Sequence, residues 1–217
     1  MRIVDVMPLS FPDVKVIRFA RFRDPRGYFT ETYRASDMAA HAGLTALHGT
    51  RFVQFNESYS KPGVARGLHF QWNPHMGKLV RTVSGRMVDL FLDIRRGSPT
   101  LGKIAAHDMP ADHDKEYAEW IWVPPGFAHG NFFTEPSIIE YGCTGEYSQG
   151  CEAGISPLDP ALDWSLCNPA LKGMWDDFRA SAQLTMTEKD RDGFTLAAWL
   201  ADPRSENFVH GSAQARA

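Results

Sequence analysis

The stretch Gly77-Lys78-Leu79-Val80-Arg81-Thr82-Val83-Ser84-Gly85-Arg86-Met87-Val88-Asp89-Leu90-Phe91-Leu92-Asp93-Ile94 decides the fold class. It holds two β-rich runs, Leu79–Val83 and Met87–Ile94, with Gly85 between them. Successive side chains of a strand point to opposite faces. Val88, Leu90, Leu92 and Ile94 therefore form one apolar face, while Asp89 and Asp93 point the other way beside Phe91. A carboxylate inside an apolar strand is costly without a partner, so the pattern predicts one for Asp89.

The same texture extends outward in both directions. Val14–Phe22, Phe52–Ser58, Ile104–Met109, Trp120–Val123, Gly130–Phe133 and Ile138–Thr144 read as further short strands. The 18 glycines and 14 prolines punctuate them, with turn chemistry at Asp24-Pro25-Arg26-Gly27, Lys61-Pro62-Gly63 and Pro124-Pro125-Gly126. Many short strands between turn signals indicate an all-β sandwich or barrel, not alternating βαβ units. Helical patterning lies at the edges. One candidate is Ala35–Ala42, with Ser36 as N-cap and Gly43 as a stop; the other is Leu196–Ala201, ending before Pro203. The expectation is one domain over residues 1–203, followed by a flexible polar tail at 204–217.

Composition narrows the function classes. With 23 basic and 26 acidic side chains the net charge is −3, which lacks the basic footprint of a nucleic-acid binder. Three cysteines outside any CxxC pair suit a reducing cytoplasm better than a disulfide framework. No apolar run approaches the length of a membrane span, and no signal-peptide core follows Met1. The expected setting is cytoplasmic, with no nucleic-acid or membrane partner.

Three polar clusters sit in strands or at strand ends: Arg66-Gly67-Leu68-His69-Phe70-Gln71, Gly77-Lys78-Leu79-Val80-Arg81 and Pro124-Pro125-Gly126-Phe127-Ala128-His129-Gly130. The last matches part of the second motif of metal-binding cupins. A strand-borne metal site usually needs two imidazoles at i and i+2, whereas His69 is followed at i+2 by Gln71. No metal and no cofactor are therefore expected. There is no GxSxG elbow and no GxGxxG or Walker-type loop. What remains is acid–base chemistry next to a carbonyl: a His base, a carboxylate to orient it, a cation for the developing oxyanion, and a tyrosine acid.

Several motifs, in order and register, resemble the dTDP-4-dehydrorhamnose 3,5-epimerase (RmlC-like) family. They are Asp24-x-Arg26-Gly27-x-Phe29-x-Glu31, Phe52-Val53-Gln54-x-Asn56, Arg66–Gln71, Gly77–Arg81, Asp93-Ile94-Arg95-x-x-Ser98-Pro99-Thr100 and Gly126–Gly130. The resemblance runs from about Ile3 to Leu200. It implies a cupin-like jelly roll with short peripheral helices, and a homodimer whose N-terminal strands exchange between subunits. The substrate would be a nucleoside-diphosphate 4-keto-6-deoxy sugar.

Carried over residue by residue, His69 would take the proton at C3 and C5, oriented by Asp190. His129 and Asp89 would form a second pair, Lys78 would stabilise the enolate, and Tyr141 would return a proton to the opposite face. Arg66, Gln54, Asn56 and Tyr147 would contact the nucleotide, with Arg26 and Glu31 offered by the partner subunit. Arg66 and His69 have opposite strand parity, so both reach one site only if the strand starts or bulges at Gly67.

Three departures stand out. Gln54-Phe55-Asn56-Glu57-Ser58 replaces the common Gln-Asp-Asn-His-Ser, Gly142 follows Tyr141 where Lys is common, and the His129–Tyr141 segment is one residue short. The rivals are a metal-dependent cupin enzyme and a non-catalytic sugar-nucleotide binder. Sequence leaves open whether C3, C5 or both are inverted, and which nucleotide is carried.

Overall fold

The computed structural model describes residues 1–212. Thirteen strands follow one another as β1 (Ile3–Pro8), β2 (Lys15–Ala20), β3 (Phe22–Asp24), β4 (Gly27–Phe29), β5 (Gln54–Ser60), β6 (Ala65–Gln71), β7 (Lys78–Ser84), β8 (Arg86–Asp93), β9 (Ile104–Pro110), β10 (Tyr117–Val123), β11 (Phe127–Phe133), β12 (Ser137–Cys143) and β13 (Glu152–Gly154). One sheet runs β1-β2-β10-β7-β12-β5 and the other β13-β6-β11-β8-β9, while β3 and β4 form a separate hairpin. Every pairing within the sheets is antiparallel. This is the all-β sandwich that the punctuation predicts, in the cupin-like form that the resemblance implies.

Strand parity sorts the core into layers. Phe91 and Met87 of β8 face the space between the sheets, where they meet Val80, Ile121 and Ile139 of the first sheet. Val88, Leu90 and Leu92 point to the outer face and pack beneath Trp175, Phe178 and Trp199. The outer face of the first sheet buries Ile17, Leu79 and Trp120 against Met38, Leu44 and Leu47. At the end of β8, Asp93 accepts from Arg95 at 2.9 and 2.7 Å and from Ser98 and Thr100 at 2.6 Å each. Burial raises its carboxyl pKa, but these donors outweigh it and hold the group ionised. That explains the Asp93–Thr100 motif as the clasp of a loop.

The edges differ from the sequence reading in three places. Helix α1 spans Ala35–Ala40 with Arg34, not Ser36, at the N-cap and no side-chain cap; the His41 ring then accepts from Gly43 N and opens a 3-10 turn at Ala42–Leu47. A twelve-residue helix α2 (Pro169–Ala180) was not anticipated; it is capped by Asn168 and buries Trp175 and Phe178. Short helices α3 (Glu188–Arg191) and α4 (Leu196–Ala201) follow, the latter as predicted.

The tail assigned to 204–217 does not leave the fold at Pro203. Pro203–Asn207 makes a 3-10 turn, Phe208 is 3% exposed against Phe70 and Trp199, and His210 N donates to Arg96 O. One buried aromatic offsets the ordering cost that a purely polar tail would not meet. Residues 213–217 lie outside the described residues.

Here β1 pairs with β2 of its own chain, from Ile3 opposite Phe19 to Pro8 opposite Lys15. Among the described residues, no helix is long and apolar enough to cross a membrane.

Candidate active site

Both walls of one cavity come from strand faces that point between the sheets. The cavity holds about 310 Å³ and takes Arg66, His69, His129 and Asn131 from the second sheet, Lys78, Ser58 and Tyr141 from the first. A second hollow of about 160 Å³ shares His69, Lys78 and Tyr141 and adds Gln54, Asn56, Tyr147 and Glu152. The two hollows meet at the three residues to which the resemblance gives the chemistry.

Gly67 explains how Arg66 and His69 reach the same space. Opposite β11, Arg66 pairs with Asn131 and His69 with His129, so three steps on β6 match two on β11. This is a bulge at Gly67, one of the two arrangements that strand parity allows. Gly67 has φ +108°, and a Cβ there would lie 2.5 Å from Gly130 Cα. Glycine meets both demands, of conformation and of space.

The imidazole–carboxylate pairs form across elements distant in sequence. Asp190, on α3, accepts from His69 Nε2 at 2.6 Å. Burial pushes the Asp190 carboxyl up, but the hydrogen bond and charge of His69, the Thr187 hydroxyl and the Gly67 amide bring it below its ordinary value. An ionised carboxylate only accepts, so Nε2 carries the hydrogen and a neutral His69 keeps its lone pair on Nδ1. Asp89 and His129 form the second pair at 2.7 Å, which supplies the partner that Asp89 demands. The His69 side chain is 34% exposed and that of His129 only 7%. His69 is the pair open to a ligand.

Lys78 and Tyr141 stand on the opposite wall, with Lys78 Nζ 5.9 Å from the centre of the Tyr141 ring. Burial lowers the Lys78 ammonium pKa, against the opposing pull of Cys143, Asp89 and Glu152. Burial raises that of Tyr141, with a smaller lowering from Arg66, so the phenol keeps its proton. Arg66 is steadied by Ser60 Oγ at 3.1 Å and Tyr59 O at 3.2 Å. Gln54 donates to Asn56 Oδ1 and accepts from the Tyr147 amide, which ties three of the expected nucleotide contacts together.

Arg26 and Glu31 are not brought to this cavity. Arg26 is an exposed side chain held by Asp24, and Glu31 pairs with Arg34 and the N-terminal ammonium. Sequence reasoning missed Glu152, Lys189 and Asn131. Glu152 accepts from Tyr147 at 3.0 Å and from Lys189 at 2.7 Å, a link between distant elements that no local pattern encodes. Asn131 did carry a signal, since it lies two residues from His129 on the same strand face. Among the described residues, no group of three or more His, Cys, Asp or Glu is arranged to hold a metal ion.

A cupin-like sandwich whose cavity holds two imidazole–carboxylate pairs, an ammonium and a protonated phenol is built for moving protons at a small ligand. The family model for dTDP-4-dehydrorhamnose 3,5-epimerase matches residues 8–198. The chain is 35% identical over 192 residues to the dTDP-4-dehydrorhamnose 3,5-epimerase of Pseudomonas aeruginosa, covering 87% of this chain and 94% of that one. It is 37% identical over 160 residues to that of Neisseria gonorrhoeae, where the match takes in 73% of this chain and 46% of the relative. The crystal structure of the Legionella pneumophila epimerase in complex with dTDP-4-keto-L-rhamnose superposes with a TM-score of 0.76 at 31% identity, over 96% of this chain and 99% of that one. The chain belongs to the dTDP-4-dehydrorhamnose 3,5-epimerase family, and is by class a carbohydrate epimerase, an isomerase.

Proposed function

We propose that the protein epimerises a nucleoside-diphosphate 4-keto-6-deoxy sugar at C3, C5 or both, without metal or cofactor. The observation that carries this reading is the placement of His69 and Tyr141 on opposite walls of one cavity with Lys78 beside them. Inversion needs a base on one face of the sugar and an acid on the other, and one carbonyl at C4 serves both neighbouring carbons.

His69 Nδ1 takes the proton from C3 or C5 while the C–H electron pair moves into the ring and the C4 carbonyl becomes an enolate oxygen. Asp190 holds the imidazole in the tautomer this needs and stabilises the imidazolium that forms. Lys78 donates to the enolate oxygen, where a desolvated ammonium is a stronger electrostatic partner than in water. Tyr141 delivers its proton to the opposite face, and the carbonyl re-forms. The proton on His69 passes to solvent, Tyr141 is reprotonated, and the enzyme returns to its starting state. Each imidazole commits Nε2 to a carboxylate, which favours proton transfer over metal ligation.

Arg66, Gln54, Asn56 and Tyr147 are assigned to the nucleotide end, in keeping with the dTDP-sugar bound to the Legionella relative. A cytoplasmic homodimer completes the reading. The β3–β4 hairpin exposes Phe22, Tyr28 and Phe29, and Arg26 lies on it, remote from its own cavity. Such a hairpin is suited to reaching a second copy.

The test is incubation with dTDP-4-keto-6-deoxyglucose in D2O, reading deuterium at C3 and C5 by NMR. Label at both positions is the 3,5-epimerase result, and label at one identifies a single-centre enzyme. His69→Ala abolishes the label. Unlabelled sugar with the nucleotide still bound would overturn the reading.

A further inference from the structure

Gln71 stands two residues beyond His69 on the same face of β6 and lines the second hollow, yet the mechanism above gives it no task. It is buried, and all three hydrogen bonds of its carboxamide go to main chain. Nε2 donates to Pro74 O at 3.1 Å and to Glu146 O at 2.9 Å, while Oε1 accepts from Ser148 N at 2.9 Å. Turning the amide over would set its oxygen against two carbonyls, so these contacts fix its orientation. Glu146 O and Ser148 N belong to the two peptide groups that flank Tyr147, and the Tyr147 amide itself donates to Gln54. Two carboxamides, one from each sheet, therefore hold the loop between β12 and β13 at the residue it presents.

We infer that Gln71 is a positioning residue for Tyr147: it holds the β12–β13 loop in the form that receives the nucleotide. The inference rests on the assignment of Tyr147 to the nucleotide in the epimerase reading above. Tyr147 is exposed, so its place is set by the bond from its hydroxyl to Glu152 and by the backbone that carries it. Both Nε2 hydrogens of Gln71 are spent on carbonyls, so the group has no donor left for a ligand and acts through the loop. Without it the loop samples other arrangements, and nucleotide affinity falls with the fraction that remains competent. His69 keeps its own anchor in Asp190, so the loss falls on binding and not on proton transfer.

The experiment measures dTDP binding by isothermal titration calorimetry, and KM and kcat on dTDP-4-keto-6-deoxyglucose by deuterium exchange. The proteins compared are the unaltered chain, Gln71→Met, Tyr147→Ala and the double variant, each checked for folding by a thermal melt. Methionine keeps the length of the side chain and loses the amide. Gln71→Met is expected to raise the dTDP Kd and the KM about tenfold, with kcat little changed. A residue that acts through Tyr147 adds little once Tyr147 is gone, so the double variant binds dTDP as weakly as Tyr147→Ala alone. An unchanged Kd in folded Gln71→Met overturns the inference, and so does full additivity in the double variant. A fall in kcat at constant Kd also overturns it, because it would place the effect of Gln71 at His69. Should Gln71→Met fail to fold, Gln71→Glu keeps the acceptor for Ser148 N but loses both donations; it too is expected to weaken dTDP binding, and an unchanged Kd there is equally fatal. Failure of the unaltered protein to bind dTDP or to exchange deuterium refutes the epimerase reading itself, and is distinguishable because no variant is involved.

Discussion

Gly67→Ala tests whether the bulge in β6 is what assembles the site. At φ +108° an L side chain costs about 1–3 kcal/mol. The new Cβ would lie 2.5 Å from Gly130 Cα and 2.8 Å from His129 O, where ordinary contacts are about 3.5–4.0 Å. Its neighbours are backbone atoms of the central strand β11, so relief requires the strands to part, an overpacking cost of about 1–3 kcal/mol. A total near 4 kcal/mol lowers the melting temperature of a chain this size by about 12 °C. Function suffers separately. The Gly67 amide helps hold Asp190 ionised, and a shift of β6 opens the 2.6 Å contact from His69 to that carboxylate. Misplacement by about 1 Å reduces the rate of α-proton exchange on the order of 100-fold.

The control is Gly49→Ala, which also has a positive φ of +81° but nothing within 4 Å of the new Cβ. It isolates the conformational cost, about 1 kcal/mol. Differential scanning calorimetry and deuterium exchange are read on both variants. If Gly67→Ala melts within about 3 °C of Gly49→Ala and still exchanges at the unaltered rate, the bulge does not depend on glycine and this account of the site fails.

Two other substitutions separate the roles of the first-sheet wall. Tyr141→Phe loses net inversion but retains deuterium exchange, because abstraction precedes reprotonation; NMR of the recovered sugar reads both, and normal inversion would assign the acid elsewhere. Lys78→Met abolishes exchange yet raises stability at pH 7, on the order of 1 kcal/mol, because an ammonium whose charged form burial disfavours is replaced by an apolar chain. The sign with pH follows from the lowered pKa: between the folded value and the ordinary 10.5, the unfolded chain binds more protons, so the unaltered protein gains stability as pH rises through that window. Chemical denaturation across that range shows the gain in the unaltered protein and its loss in Lys78→Met. A flat profile in both would show that Lys78 is not desolvated.

What was legible in the sequence is what a strand writes locally. Alternation in Met87–Ile94 put Asp89 on the face opposite Val88 and Leu90 and called for a partner, and the opposite parity of Arg66 and His69 called for a strand start or a bulge at Gly67. What was not legible depends on contacts between distant elements. Nothing near Tyr147 announces that Glu152 will bridge it to Lys189. Helix α2 did carry signals: Asn168 before Pro169, then Leu171, Met174, Trp175 and Phe178 at helical spacing. Its interleaved Lys172, Asp176, Asp177 and Arg179 make it read as a polar connection unless the period is counted. The residues after Pro203 misled for the opposite reason. Their composition is polar, and one aromatic, Phe208, anchors them.

The departures from the family pattern fall where they leave the chemistry intact. Tyr141 pairs with Asn56 across β12 and β5, and the next pair along is Gly142 with Phe55. Alternation sends Tyr141 and Asn56 into the cavity and Gly142 and Phe55 to the outer face. A Cβ at Gly142 would meet the Phe55 ring at 3.0 Å, so the glycine makes room for Phe55, whose ring lies over it. The β7–β12 pairing is irregular near the start of β12. On β12 Ile138 and Ile139 are adjacent, but their partners on β7 are Ser84 and Thr82, which leaves Val83 as an extra residue on the partner strand. The irregularity lies on β7, while β12 keeps unbroken register with β5 from Ser137 to Cys143. Tyr141 therefore reaches the cavity opposite His69, and the shortened hairpin gives no reason to expect a change in which carbon is reprotonated.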